Sequence, residues 1–178
     1  MGVFDLLKHH RRSIRLKGYD YTHPGVYFVT IVAFGQEPIF GRIVEGEMEL
    51  NQLGEIILEE WFKTAQIRPE IELDEFVVMP NHVHGIIWIV GARRRRAPTL
   101  EDFRKPVPGS IPTIVRSFKS TVTRRINLLR KTSAAPVWQR NYYEHVIKSE
   151  KELGQIRQYI RDNPLKWETD QEYPGKVK

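Results

Sequence analysis

The chain has 178 residues, 40% of them apolar or aromatic, enough for one domain with a substantial core. It contains no cysteine, which excludes a disulfide framework and a thiolate zinc site. The net charge of +6 is unevenly placed: residues 91–143 carry thirteen Lys or Arg against Glu101 and Asp102, a net +11 that leaves −5 for the remainder. Segregation of that size suits a polyanionic partner. No stretch approaches eighteen consecutive apolar residues and the start lacks a signal peptide's apolar core, so a cytoplasmic protein with no membrane partner is expected.

Residues 1–24 read as a basic arm, with Lys8, His9, His10, Arg11, Arg12, Arg15 and Lys17 ahead of Tyr19 and Tyr21. Cations interleaved with aromatics suit single-stranded nucleic acid, whose unpaired bases stack on rings. A tail whose aromatics cover the first strand is the alternative. Val26–Phe34 is strongly β-prone and predicts a central strand. Gly41–Asn51 predicts a short edge hairpin, and Glu55–Ala65 a helix carrying Ile56, Ile57, Leu58, Trp61 and Phe62. Leu73–Met79 and His82–Val90 predict two strands joined at Pro80-Asn81.

Residues 91–110 then read as a flexible, proline-rich connection opened by Arg93, Arg94, Arg95 and Arg96. The following helix, Ile111–Lys131, shows an apolar stripe at Ile111, Ile114, Val115, Phe118, Val122, Ile126 and Leu129. Arg116, Lys119, Arg124 and Arg125 lie among its polar positions, and clustered cations of this kind favour DNA phosphates. The plain alternative is a solvated face. A strand is expected near Tyr143–Ile147. Ser149-Glu150-Lys151-Glu152 has the form of a capping box and opens a last helix with Leu153, Ile156 and Ile160 inward. Pro164 disfavours helical geometry at Asn163 and marks its end. One domain over residues 25–167 with a tail at 168–178 follows. Its order, strand–helix–strand–strand–helix–strand, is that of an α+β, ferredoxin-like antiparallel sheet with helices on one face.

Two placements carry chemistry. His82 and His84 stand two apart on a strand and project from one face. Such a pair either shares a metal ion or stands as two ordinary half-buried histidines. Tyr159 and Asn163 are one turn apart on the last helix, a phenol and an amide on the same side. Glu144 and His145 lie on the strand feeding that helix, as a supplementary ligand or proton acceptor, or as a structural pair. Tyr142 and Tyr143 rival Tyr159 by chemistry, but as strand neighbours they face opposite ways.

Taken together, Pro80-Asn81-His82-Val83-His84, Trp138-Gln139, Tyr143-Glu144-His145 and Tyr159-Ile160 with Asn163-Pro164 resemble the single-tyrosine HUH transposases, closest to the REP-associated tyrosine transposases. The likeness runs from about Ser13 to Trp167, with Val83 in the hydrophobic middle of the His pair. It implies the ferredoxin-like fold with an appended tyrosine helix, His82, His84 and Asn163 around a divalent Mg2+ or Mn2+, and Tyr159 as nucleophile. It also implies single-stranded or hairpin DNA of palindromic repeats as substrate, a bacterial setting with work at the nucleoid, and in some members a homodimer. No organic cofactor is expected. The reaction would be strand cleavage and transfer through a 5′-phosphotyrosine. A non-cleaving protein that recognises palindromic repeats is the alternative. A metal hydrolase is a third reading, one that lacks the acidic ligands such sites usually carry.

Overall fold

The run from Val26 to Val32 is β-branched and aromatic almost throughout, the signature of a strand covered on both faces. In the computed structural model, which describes residues 24–91 and 107–175, this run forms β1 (Gly25–Val32). After it come β2 (Gly41–Val44), β3 (Glu47–Leu50), α1 (Gln52–Gln66), β4 (Ile71–Val78) and β5 (His82–Ile89). Then follow α2 (Ile111–Arg130), β6 (Tyr143–Ile147) and α3 (Glu150–Asp162), with a short 3-10 turn at Trp167–Thr169. The sequence-predicted arm, with Arg12, Arg15 and Lys17, and the Arg93–Arg96 run lie outside the described residues.

Strands β4, β5, β1 and β6 make one antiparallel sheet in that order. Helices α1 and α2 cover one face, where Ile57, Trp61, Ile114, Phe118 and Val122 meet Tyr27, Val29, Ile31, Val83 and Ile87. Helix α3 lies on the other face, where Leu153, Ile156 and Ile160 pack on Phe28, Ile86 and Ile147. The α+β architecture is as expected, with the tyrosine-bearing helix appended across the sheet from the other two. The hairpin expected at the sheet edge forms instead a separate two-stranded sheet, β2 with β3.

Helix boundaries follow their caps. Helix α1 begins three residues before the predicted start because the Asn51 side chain accepts from the amides of Leu53 (2.9 Å) and Gly54 (3.1 Å). Ser149 caps α3 as the capping box predicts, accepting from the Glu152 amide at 3.2 Å. The Glu152 carboxylate, however, reaches past the cap to the Lys148 amide (2.7 Å) and the His145 ring (2.7 Å). Among the described residues, no helix is long and apolar enough to cross a membrane.

Two positions hold the layers in register. Gly85 sits on β5 beneath the stacked rings of Trp61 and Phe76, and a Cβ there would come within 2.4 Å of Trp61. Lys119 on α2 donates to the carbonyls of Gln139 (2.6 Å), Arg140 (3.1 Å) and Asn141 (3.4 Å), pinning the loop that leads into β6. Burial pushes its ammonium down to about 8. We expect Gly85→Ala to cost about 1–3 kcal/mol through forced displacement of the Trp61 ring, read as a lower midpoint in urea unfolding. Lys119→Met keeps the aliphatic stem but removes the donor, and should cost about 1–3 kcal/mol by leaving those carbonyls without it. Faster amide exchange confined to residues 139–143 would locate the damage.

Candidate active site

The site begins at the turn between β4 and β5. Pro80 and Asn81 carry the chain round, and Met79 donates to the His82 carbonyl (2.8 Å) to close it. The alternation of β5 then sends Val83 into the α1/α2 layer and His82 and His84 to the opposite face. Opposite them on β1 stand Val32 and Thr30. Both rings are buried, His82 at 0% and His84 at 1% exposure.

Buried ring nitrogens require partners, and those partners set the proton positions. The Asn81 side-chain nitrogen donates to the carbonyls of Gln36 (3.0 Å) and Glu172 (2.7 Å). Its oxygen therefore faces His82 Nδ1, 2.8 Å away, as an acceptor. Nδ1 carries the proton, and His82 Nε2 turns a lone pair inward. Thr30 Oγ1 stands 2.8 Å from His84 Nδ1, placed for the same role. The two Nε2 atoms end 3.0 Å apart. Two inward lone pairs at that distance repel unless a proton or a cation lies between them. Adjacent ligands of an octahedral ion, each about 2.1 Å from the metal, also stand about 3.0 Å apart.

The third group comes from beyond α3. The chain turns through Trp167–Thr169 and brings back Asp170, which is buried. Its Oδ1 is 4.0 Å from His82 Nε2. One ligand atom each from His82, His84 and Asp170 fall within 4.8 Å of one another, a cluster able to chelate a divalent cation. The Trp167 ring lies over His82 with centroids 5.9 Å apart.

Tyr159 meets this cluster from α3. Its hydroxyl lies 3.2 Å from His84 Nε2 and 3.3 Å from Asp170 Oδ2. Asn163, one turn on, donates to the same Oδ2 at 3.1 Å. The Asn163 Oδ1 atom is buried with no hydrogen-bond partner among the described residues. Burial, then the Asp170 carboxylate, push the Tyr159 phenol far above its usual range, so at neutral pH the oxygen keeps its proton.

Of the residues singled out in the sequence, four converge here: His82, His84, Tyr159 and Asn163. Asp170 was missed, because it falls in the stretch expected to be a tail. No motif marks it, and only the return of the chain after α3 reveals it. Glu144 is not brought to the site. It pairs with Val29 on the α1/α2 face of the sheet, opposite the histidines, and accepts from the Tyr142 hydroxyl at 2.6 Å. His145 shares the histidine face but lies alongside Phe28, and its ring is engaged by Glu152 at 2.7 Å. A structural role fits both better than proton transfer at Tyr159.

The basic helix also divides. Arg116 and Arg124 are exposed. Arg125 is held by Glu59 (2.8 Å) and Glu60 (2.7 Å) of α1, and Lys119 by three carbonyls, so neither is simply available to phosphate. All four sit on the layer across the sheet from the tyrosine.

No family model matches the chain. Over 172 residues it is 44% identical to an uncharacterized protein of Haemophilus influenzae strain Rd, covering 93% of this chain and 94% of that one. It is 24% identical over 148 residues to a "Putative REP-associated tyrosine transposase" of the same strain, covering 83% of this chain and 74% of that one. Among solved structures, a REP-associated tyrosine transposase bound to a REP hairpin matches with a TM-score of 0.56 at 20% identity, over 90% of this chain and 74% of the other. That likeness is one of fold. The chain belongs to the family of the 44% identical Haemophilus influenzae protein, and is distantly related in sequence and fold to the tyrosine transposases of the HUH type.

Proposed function

We propose that the chain cleaves and rejoins single-stranded DNA through a covalent 5′-phosphotyrosine on Tyr159, acting on hairpins of palindromic repeats. The observation that carries this reading is the meeting of a phenolic oxygen with a His–His–Asp cluster: 3.2 Å to His84 Nε2 and 3.3 Å to Asp170 Oδ2. Asp170 supplies the acidic ligand that the metal-hydrolase reading lacked in the sequence, so the two readings part on whether turnover needs the Tyr159 hydroxyl. The solved relative bound to a REP hairpin supports a hairpin substrate.

His82 Nε2, His84 Nε2 and Asp170 Oδ1 would hold the ion, with Asn163 Oδ1 as a further neutral ligand. Imidazole ligands favour Mn2+ over Mg2+. A bound divalent ion would polarise a non-bridging phosphate oxygen and offset the charge of the transition state. The chain's own residues do the rest. Tyr159 Oη attacks phosphorus in line, the bond from phosphorus to the 3′ oxygen breaks, and the phenolic proton passes toward Asp170 Oδ2. The 3′ oxygen leaves as a hydroxyl, and the proton it takes up balances through solvent the one that Tyr159 gives up. The covalent ester conserves the phosphodiester, so rejoining to another 3′-hydroxyl needs no nucleotide. Exposed Arg116 and Arg124, with the arginine run outside the described residues, would hold DNA flanking the hairpin.

End-labelled hairpin DNA mixed with the protein and Mn2+ should give an adduct that survives denaturant, and Tyr159→Phe should abolish it while keeping DNA binding. Binding with no adduct in the wild type would leave recognition as the function. Turnover that persists in Tyr159→Phe would overturn the mechanism. Separately, Asp170→Asn should weaken Mn2+ binding by about 10- to 100-fold in calorimetry. An unchanged affinity would remove Asp170 from the ligand set.

A further inference from the structure

Helix α3 has three surfaces. Leu153, Ile156 and Ile160 form its buried seam, Tyr159 and Asn163 lie on one flank, and Arg157 and Arg161 on the other. The seam is small, and Tyr159 packs edge-on against its Phe28 (centroids 6.1 Å); apolar contact of this kind is non-directional and restrains rotation less sharply than a polar pair. Rotation matters here. A side-chain end roughly 6 Å from the helix axis moves about 1 Å for a turn of about 10°.

The opposite flank supplies what the seam lacks. The pairing of β4 with β5 shifts register between Leu73 and Phe76, a bulge that displaces Asp74 and Glu75 from the regular ladder. Asp74 accepts from Arg157 twice, Nε at 3.0 Å and Nη2 at 2.6 Å, a geometry that fixes direction as well as distance. The Asp74 carboxylate is itself steadied by the Trp88 indole N–H at 2.8 Å and by the Glu75 amide at 2.8 Å. Burial would raise this carboxyl, but Arg157, Trp88 and the amide outweigh it and hold it below the usual range. Arg161 adds a more exposed pair with Glu75 at 3.1 Å. None of these residues touches the histidines, so the cluster has no place in the chemistry itself.

We propose that Arg157, clamped by Asp74 at the β4 bulge, is a positioning residue that sets the rotation of α3 and so aims Tyr159 at the histidines of its own chain. The kinetic part of this inference rests on the proposed cleavage reaction; the geometric part does not. An error of about 1 Å in a reacting atom can cost roughly 100-fold in rate, so loss of the clamp should fall on chemistry and spare binding.

The test compares Arg157→Gln, Arg157→Lys and the wild type by two readouts. In the metal-free proteins, cross-relaxation between the Tyr159 and His84 rings, whose centroids are 5.1 Å apart, reports aim without any reaction. It should weaken severalfold in Arg157→Gln and recover in part in Arg157→Lys, which keeps the charge but not the fork. Single-turnover adduct formation should fall by about 10- to 100-fold in Arg157→Gln, with hairpin affinity and Mn2+ affinity unchanged. Unaltered ring contacts in Arg157→Gln, or a parallel loss of Mn2+ affinity, would overturn the proposal. If Arg157→Gln does not fold, Arg157→Lys against wild type decides by the same ring contacts. Absence of an adduct in the wild type would count against the cleavage reading alone, because the ring contacts still decide the clamp.

Discussion

Strand β5 is covered on both faces, and the candidate site follows from that constraint. Val83, Gly85 and Ile87 must suit the layer of α1 and α2, while His82 and His84 must suit the side of α3. Water is excluded from both sides, so the ring nitrogens cannot be left to solvent. Asn81 and Thr30 take the outer pair, and the inner pair is forced to 3.0 Å. A slip of one residue in the pairing with β1 would turn the histidines into the main core and break every one of these contacts. The tight approach of Trp61 to Gly85 opposes such a slip, since no side chain fits there.

Asn81 has a second consequence. The same amide that orients His82 also binds the Glu172 carbonyl, and so ties the returning chain to the β4–β5 turn. That tie brings Asp170 between His82, Tyr159 and Asn163. The carboxylate supplies a negative charge, which an imidazole cannot. Burial first, and then that carboxylate, keep the phenol protonated.

The positive charge is arranged less simply than its total suggests. On α2 it serves two ends: Arg125 bridges to α1 and Lys119 pins the approach to β6, while Arg116 and Arg124 face solvent. These residues lie across the sheet from Tyr159. A DNA strand touching both would have to pass round the edge of the sheet, so charge on this helix and chemistry on α3 are separate features of the surface.

What the sequence determined by itself was local. A period of two placed the histidines on one face, a period of 3.6 stacked Tyr159 over Asn163, and Ser149 fixed where that helix starts. Each depends only on residues a few positions apart, and each is present in the structure. Tertiary structure decided what distance along the chain conceals. It put Asp170 beside His82, turned Glu144 to the far face through its pairing with Val29, and engaged Arg125 and Lys119 internally. These outcomes depend on which side of a sheet a strand presents and on where the chain returns, and both are set by packing between segments remote in sequence.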